Sequence, residues 1–573
     1  MNKITPRVAV LSLLVTTGAV VAAACADNAG DCRDINTCCA DGTLNCPAFR
    51  DAGGTFDSGA IGADSGKDSG IDSGPRVGAD SGAEGGPPSC AGDPTTDTTI
   101  VTDSCGVFVQ ANATSASADG TKANPYKTLQ QAIDNAAGKR VYACTVAPFT
   151  EAVTLSAGLQ IYGGFDCTNG WTWSTTARTQ LNGPADKVAL TIARSADGAT
   201  IQNFSITAAS PSDMTDGGSS IAVAVDNVAV GFVSCDVTAS DAADGADGTP
   251  PTGAAMTGGN APATLATTMN ACLLPTALAG GAPGSTKCDD GTVSTGGTGG
   301  TGGIPGDGGV GDGQGGTNGQ PAPSPNPDSD GTGGPGATAT AVCKRGNDGN
   351  VGTNGDAGAP GSAADDKLSL TGIANATNTD GLPGTVGQGG GGGGGAEAGL
   401  FCGSPSSPVA GPGASGGGGG AGGCGGKPGG GGKAGGSSIG ILSLGTKLTL
   451  TAVTVTVGSG GTGGSGVGGL GGGGYGSGAS GGAASGLAGS AAGCQGGNGG
   501  PGGSGGPGGG GRGGHAIGIA YGATPTTAPT LASFKPGTAG GGGSTGPTAP
   551  QTSKGAGGAE GACWDFSQQA SCG

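Results

Sequence analysis

Gly217-Gly-Ser-Ser-Ile-Ala-Val-Ala-Val225 recurs as Gly435-Gly-Ser-Ser-Ile-Gly-Ile-Leu-Ser443, and a third time as Gly513-Gly-His-Ala-Ile-Gly-Ile-Ala-Tyr521. Each copy leads to a second β-rich run, at 228–237, 448–457 and 531–534, and then to a glycine-rich tract. A parallel rung buries its two sides only when another rung covers each of them, so one copy alone is unstable and the copies must stack. Shorter runs at 140–146, 152–155, 159–162, 187–192 and 200–207 extend the pattern toward the N-terminus. The expectation is an all-β scaffold of about six or seven coils, with the glycine tracts as oversized loops between them. Residues 246–434 then form one very long insertion, interrupted by a single β-like run at 367–370.

Glycine supplies 138 of the 573 residues. In Gly346 to Gly361, GNDGNVGTNGDAGAPG, all glycines stand three apart, and the same period runs through the denser stretch from Gly496 to Gly514. Three residues per turn is the period of polyproline II, which has no internal hydrogen bonds and would present an all-glycine edge to its neighbours. Such strands could bundle through N–H···O and Cα–H···O contacts without an apolar core. Collagen requires far more proline than the 34 residues present. Disorder is the other reading, because glycine-rich polar sequence buries little surface to offset chain entropy.

Lys3 and Arg7 precede an apolar run from Val8 to Val21, followed by Ala22-Ala23-Ala24-Cys25. This resembles the signal and lipobox of bacterial lipoproteins, which implies a lipid on the Cys25 sulfur, cleavage after Ala24 and, with alanine at position 26, an outer-membrane lipoprotein facing the cell surface. No other apolar run reaches the ~18 residues needed to cross a bilayer. Residues 1–24 carry two positive charges and no acids, so their removal takes the net charge from −18 to −20. A chain this acidic is not expected to bind nucleic acid. Residues 25–50 are cysteine-rich. Residues 51–88 repeat Asp-Ser-Gly from Asp57, Asp64, Asp68, Asp72 and Asp80, which reads as a solvated, disordered linker.

Eighteen cysteines in an exported chain imply disulfides. With Cys25 set aside, spacing suggests the closures Cys90–Cys105, Cys144–Cys167, Cys272–Cys288, Cys402–Cys424 and Cys563–Cys572, with a knot among Cys32, Cys38, Cys39 and Cys46. Cys235, Cys343 and Cys494 stay unassigned. No Cys-x-x-Cys pair occurs and His515 is the only histidine, so neither a metal nor a cofactor is expected.

In DGTKANPYKTLQQAIDNA, from Asp119, Thr128 can N-cap a helix whose residues Leu129, Ala132, Ile133 and Ala136 share one face. That order, followed by Glu151 and Ile161-Tyr-Gly-Gly-Phe165, resembles the start of right-handed parallel β-helix proteins of the pectate-lyase-like superfamily. The resemblance implies a β-helix over 89–245 and 435–573, with residues 128–137 covering its open end. The tracts themselves are similar in composition to PGRS-type glycine-rich surface proteins.

Polysaccharide lyases and hydrolases of the β-helix class gather carboxylates on neighbouring strands. Here Glu151, Asp166, Asp226 and Asp236 are spread thinly, and Asp289-Asp290 and Asp365-Asp366 fall in loops, so no catalytic residues are assigned. His515 takes the place of Ser219 and Ser437 in the repeat and reads as a surface substitution. Trp171 and Trp173 could stack on a sugar ring, although paired aromatics on a loop more often serve local packing. The expected function is a lipid-anchored structural or adhesive envelope protein that meets the membrane through Cys25 and a cell-surface glycan or protein through its loops. A carbohydrate-binding or polysaccharide-degrading β-helix is the alternative.

Overall fold

Strands from distant parts of the chain assemble into three sheets, parallel apart from the short antiparallel strands Thr172–Trp173 in the first and Ala570–Ser571 in the third. The computed structural model describes residues 90–572 apart from 327, 376, 378, 528 and 529. The signal segment, Cys25, the 32–46 cysteines and the Asp-Ser-Gly linker lie outside the described residues. Those described are all-β, with two short α-helices, Leu129–Asp134 and Ala266–Met269.

The first sheet orders Gly106–Val109, Arg140–Cys144, Gln160–Asp166, Ala199–Gln202, Val230–Val233 and Leu448–Thr451. The second orders Phe149–Thr150, Thr179–Gly183, Phe204–Ala208, Asp236–Ala239, Thr454–Val457 and Ser533–Lys535. The third orders Val153–Leu155, Leu190–Ile192, Ser220–Val225, Ser438–Ser443, Ala516–Tyr521 and Glu560–Asp565. From Phe149 to Tyr521 the chain visits second, third and first sheet in turn, as stacked rungs require; Ser533–Lys535 then returns to the second sheet with no first-sheet strand before it among the described residues. The three recurring units lie side by side in the third sheet, with Ile221 opposite Ile439 and Ile439 opposite Ile517.

Alternating burial in the second sheet, as in Thr179–Gly183 and Phe204–Ala208, turns Leu181, Phe204 and Ile206 inward. They meet Val223, Ile441 and Ile519 of the third sheet and Ile161, Ile201 and Phe232 of the first in one core. The recurring strands are buried on both faces, because an outer row of Ile221, Ile439 and Ile517 packs against Phe566, Leu368 and Ile373. At the N-terminal end, Leu129, Ala132 and Ile133 of the first helix close over the core. Thr128 caps that helix by accepting from the Gln131 amide at 3.1 Å, and Glu151 accepts from the amides of Leu129 and Gln130 at 2.6 and 3.2 Å. The Gln130 side-chain amide bonds both backbone groups of Thr154, so it continues the ladder at the edge of the third sheet.

Glycine-rich segments leave the scaffold at one recurring place, the connection from second to third sheet: residues 240–437, 458–515 and 536–559. They are ordered. Amides of Gly346, Gly349, Gly352, Gly355, Gly358 and Gly361 donate to the carbonyls of Gln495, Asn498, Pro501, Ser504, Pro507 and Gly510, three residues per step. Gly390 to Gly395 is the limiting case. Its amides donate in turn to Gly420, Asn347, Thr317, Gly417, Lys344 and Gln314, and its carbonyls accept in turn from Gly297, Gly497, Gly334, Gly300, Cys494 and Ala337. Six neighbouring tracts therefore surround one strand, and every backbone polar group in it is satisfied without a side chain.

Glycine density follows depth. Residues 387–396 and 411–424 are buried throughout and mostly glycine, with small residues at most of the other places, whereas the outer tract 346–361 keeps glycine at every third place and exposes Asn350, Thr353 and Asn354. A Cβ on Gly392 would lie 2.0 Å from the Thr298 carbonyl oxygen, so the spacing between tracts admits nothing larger. At the rim, Asp241, Asp244 and Asp247 accept from the amides of Ser459, Thr462 and Ser465 at 2.7, 2.6 and 2.6 Å, which gives part of the chain's acidity a structural use.

Residues 246–434 are consequently not a separable outgrowth. Gly417 to Gly435 donates to the tract at 494–512 while accepting from that at 461–482. The β-like run at 367–370 is present as the hairpin Asp366–Ser369 with Gly372–Asn375. Two further hairpins, Ser285–Lys287 with Val293–Thr295 and Gly399–Ser404 with Ser407–Gly411, gave no comparable signal in the sequence.

Cys90–Cys105, Cys144–Cys167 and Cys563–Cys572 pair as spacing suggests. Cys272 and Cys402 do not close locally: they bond each other, Cys288 bonds Cys424, and Cys343 bonds Cys494. Tracts adjacent in the bundle are far apart in sequence, so proximity along the chain misleads here. Cys235 is free and buried, and burial pushes its thiol up to about 12. It is expected to resist iodoacetamide in the native protein and to label only in denaturant, with labelled mass read by mass spectrometry.

Candidate functional site

The most concentrated chemistry among the described residues is a buried junction where hairpin, bundle and third sheet meet. Asp366 opens the hairpin, Arg512 ends a glycine tract, and His515 follows three residues later. Asp366 Oδ1 lies 2.9 Å from Arg512 Nε, whose N–H is poorly aligned with it, and accepts from Asn375 Nδ2 at 2.8 Å. Asp366 Oδ2 lies 2.8 Å from His515 Nε2. His515 Nδ1 accepts from the Ala559 amide at 2.8 Å, so the proton resides on Nε2 and is donated to Asp366. Phe566 covers the ring edge-on at 5.2 Å.

His515 is fully buried, which corrects its reading as a surface substitution. Both ring nitrogens are occupied, leaving no lone pair to accept a substrate proton. Burial lowers the His515 pKa from the ordinary 6.5, an effect that its hydrogen bond to Asp366 opposes. The unfolded chain takes up a proton that the folded one resists, so stability is present above pH 6.5 and lost as pH falls below it. Melting midpoints at about pH 7.5 and 5.5 are expected to differ less in His515→Gln than in the parent.

The other singled-out acids are engaged separately. Glu151 caps the first helix, Asp166 closes a turn on Thr168, and Asp226 accepts from the Asn227 amide. Asp236 bonds Thr454 and faces Arg178 at 3.7 Å. Asp289 faces Lys427 at 3.6 Å, Asp290 closes a turn on Thr292, and Asp365 accepts from Thr377. Trp171 is 5% exposed and meets Phe108 edge-on at 4.7 Å, within a cluster that includes Tyr142 and Phe165. A ring covered in this way offers no free face to a sugar. Trp173 packs beside the same cluster, half-buried.

The glycine tracts turn back at the end away from the sheets, through loops 262–279, 304–311, 338–343, 399–411 and 484–492. Ala271 bonds Ala483, Ser485 bonds the Phe401 carbonyl, and Gly311 bridges Ala398. Cys272–Cys402 joins two of these loops and Cys343–Cys494 ties a third to the tract that follows 484–492, over a small core of Ala271, Ala396, Phe401, Cys402 and Ala414. Composition alone gave no sign that these five loops share one surface.

The chain matches no protein-family model, no curated protein and no solved structure.

Proposed function

We propose that this is an exported, lipid-anchored envelope protein without catalytic activity, in which a right-handed parallel β-helix carries a rigid polyproline II bundle that presents its loop end for contact. The observation that carries the reading is the closed backbone hydrogen bonding of the glycine tracts, which makes them a stiff spacer. A flexible linker would have left those groups to water. Supporting it, the chain order through three parallel sheets is that of β-helix coils, and the connecting direction in such units is right-handed in nearly all proteins. Six disulfides suit an oxidising compartment outside the cytoplasm.

Labelling with radioactive palmitate is expected to mark the parent chain and not Cys25→Ser, and that variant should move from the membrane fraction to the soluble one. A parent chain that remains soluble and unlabelled would remove the anchor from this account. Binding of the parent to a glycan array, retained in variants of the loop end, would favour the carbohydrate-handling alternative.

A further inference from the structure

We propose that the loop end of the glycine bundle is a homotypic contact surface, whose occupant is the loop end of a second copy of this chain. Of the fourteen large apolar side chains exposed among the described residues, seven lie in these loops: Leu265, Leu274, Ile304, Val310, Val342, Leu400 and Val409. Leu274 and Val342 are 74% and 80% exposed. Elsewhere in the bundle exposed apolar side chains are scattered singly, as on any protein surface. Here they are gathered onto loops held by two disulfides and a core of their own. The ordering cost of docking is thereby met during folding and not on binding.

The composition of this surface selects the occupant. Asp307 is the one charged residue in the five loops, in a chain that is 11% charged with a net charge of −18. Two copies approaching by any other face bring like charge together, whereas two loop ends meet with almost none. A glycan partner would call for an exposed aromatic platform, and the one aromatic side chain in these loops, Phe401, is buried. A bilayer partner would call for interfacial Trp or Tyr, and the loops contain neither. A nearly uncharged aliphatic face is matched best by another like itself.

Each contact is small and individually weak, and it gains strength from many copies held on one surface. The bundle also places it well. At ~3.1 Å per residue, the tract from Gly411 to Gly436 would hold the loops roughly 75 Å beyond the third sheet. Copies on facing surfaces would then meet tip to tip before their acidic flanks approach.

The proposal deepens the contact role above and rests on it, but its test is independent of the anchor. Full-length chain from residue 25, biotinylated at its N-terminus, is coupled to streptavidin beads of two colours. Parent beads are expected to cluster, and beads bearing Leu274→Asp, Val342→Asp and Leu400→Asp together to cluster about tenfold less or worse, as lost avidity requires. Val351→Asp, also exposed but on the flank of the bundle, serves as the control and should cluster like the parent. Disulfide content and melting temperature establish that all variants fold. Dispersed parent beads, clustering unchanged in the triple variant, or full co-clustering of parent with triple-variant beads would each overturn the proposal. So would dispersed parent beads alongside capture of the chain by phosphatidylcholine vesicles, which would assign the surface to a bilayer instead.

Discussion

Gly392→Ala is expected to disrupt the glycine bundle, while Gly471→Ala leaves it intact or slightly more stable. Both replace one hydrogen by a methyl group in a glycine tract, so propensity arguments alone predict the same outcome. Their surroundings differ. A Cβ at position 392 would stand 2.0 Å from the Thr298 carbonyl oxygen and 2.4 Å from its carbon, whereas nothing lies within 4 Å of one at position 471. Relief at 392 requires parting a whole tract, because Gly392 also donates to Thr317 and accepts from Gly334. Overpacking typically costs about 1–3 kcal/mol, and a clash with backbone that cannot give way belongs at the upper end of that range. At position 471 the loss of unfolded-state freedom contributes about 0.4–1 kcal/mol of stability. Guanidinium unfolding midpoints of the two variants against the parent measure the contrast. Equal midpoints would show that the tracts do not pack through their glycines.

Asp366→Asn is the second change with a large expected effect. The Asp366 and Arg512 side chains are 0% and 2% exposed, so neutralising the acid leaves a guanidinium buried without its counter-charge. Breaking a buried pair from one side costs about 3–5 kcal/mol. The hairpin should detach first, since Leu368 and Ile373 hold it to the outer row of the third sheet by little more than their own burial. Its amides are then expected to exchange with deuterium far faster than those of the core strands, and to do so before global unfolding. The double variant Asp366→Leu, Arg512→Met should cost much less than the sum of its parts, because it removes the stranded charge along with the pair. Additive losses in that cycle would mean that the junction acts through packing alone.

Much of the scaffold could be read from the chain. The recurring Gly-Gly-x-x-Ile units form adjacent strands in register, since a stack of equivalent rungs repeats the same side-chain environment at the same offset. Thr128, Leu129, Ala132 and Ile133 marked the end-covering helix through capping and period. The junction was not legible. Asp366 and Arg512 are 146 positions apart, and nothing in local pattern distinguishes a buried carboxylate in a hairpin from a solvated one in a loop. His515 looked like a casual replacement for serine, although its two nitrogens join a hairpin carboxylate to the backbone of another tract. The crossed disulfides Cys272–Cys402 and Cys288–Cys424 were hidden for the same reason.

By itself, the chain determined where side chains can be absent: a glycine at every third position marks a strand packed along one edge, and unbroken glycine marks one packed all round. That follows from the three-residue turn, which returns the same edge to the same neighbour at each step. Only the tertiary structure decided which tracts are neighbours, and hence that five loops with a single charged residue among them, from remote parts of the chain, come together at one end. A backbone without side chains carries no recognition of its own. Partner choice among the tracts falls to the sheets that order their starting points and to the disulfides that hold their turns.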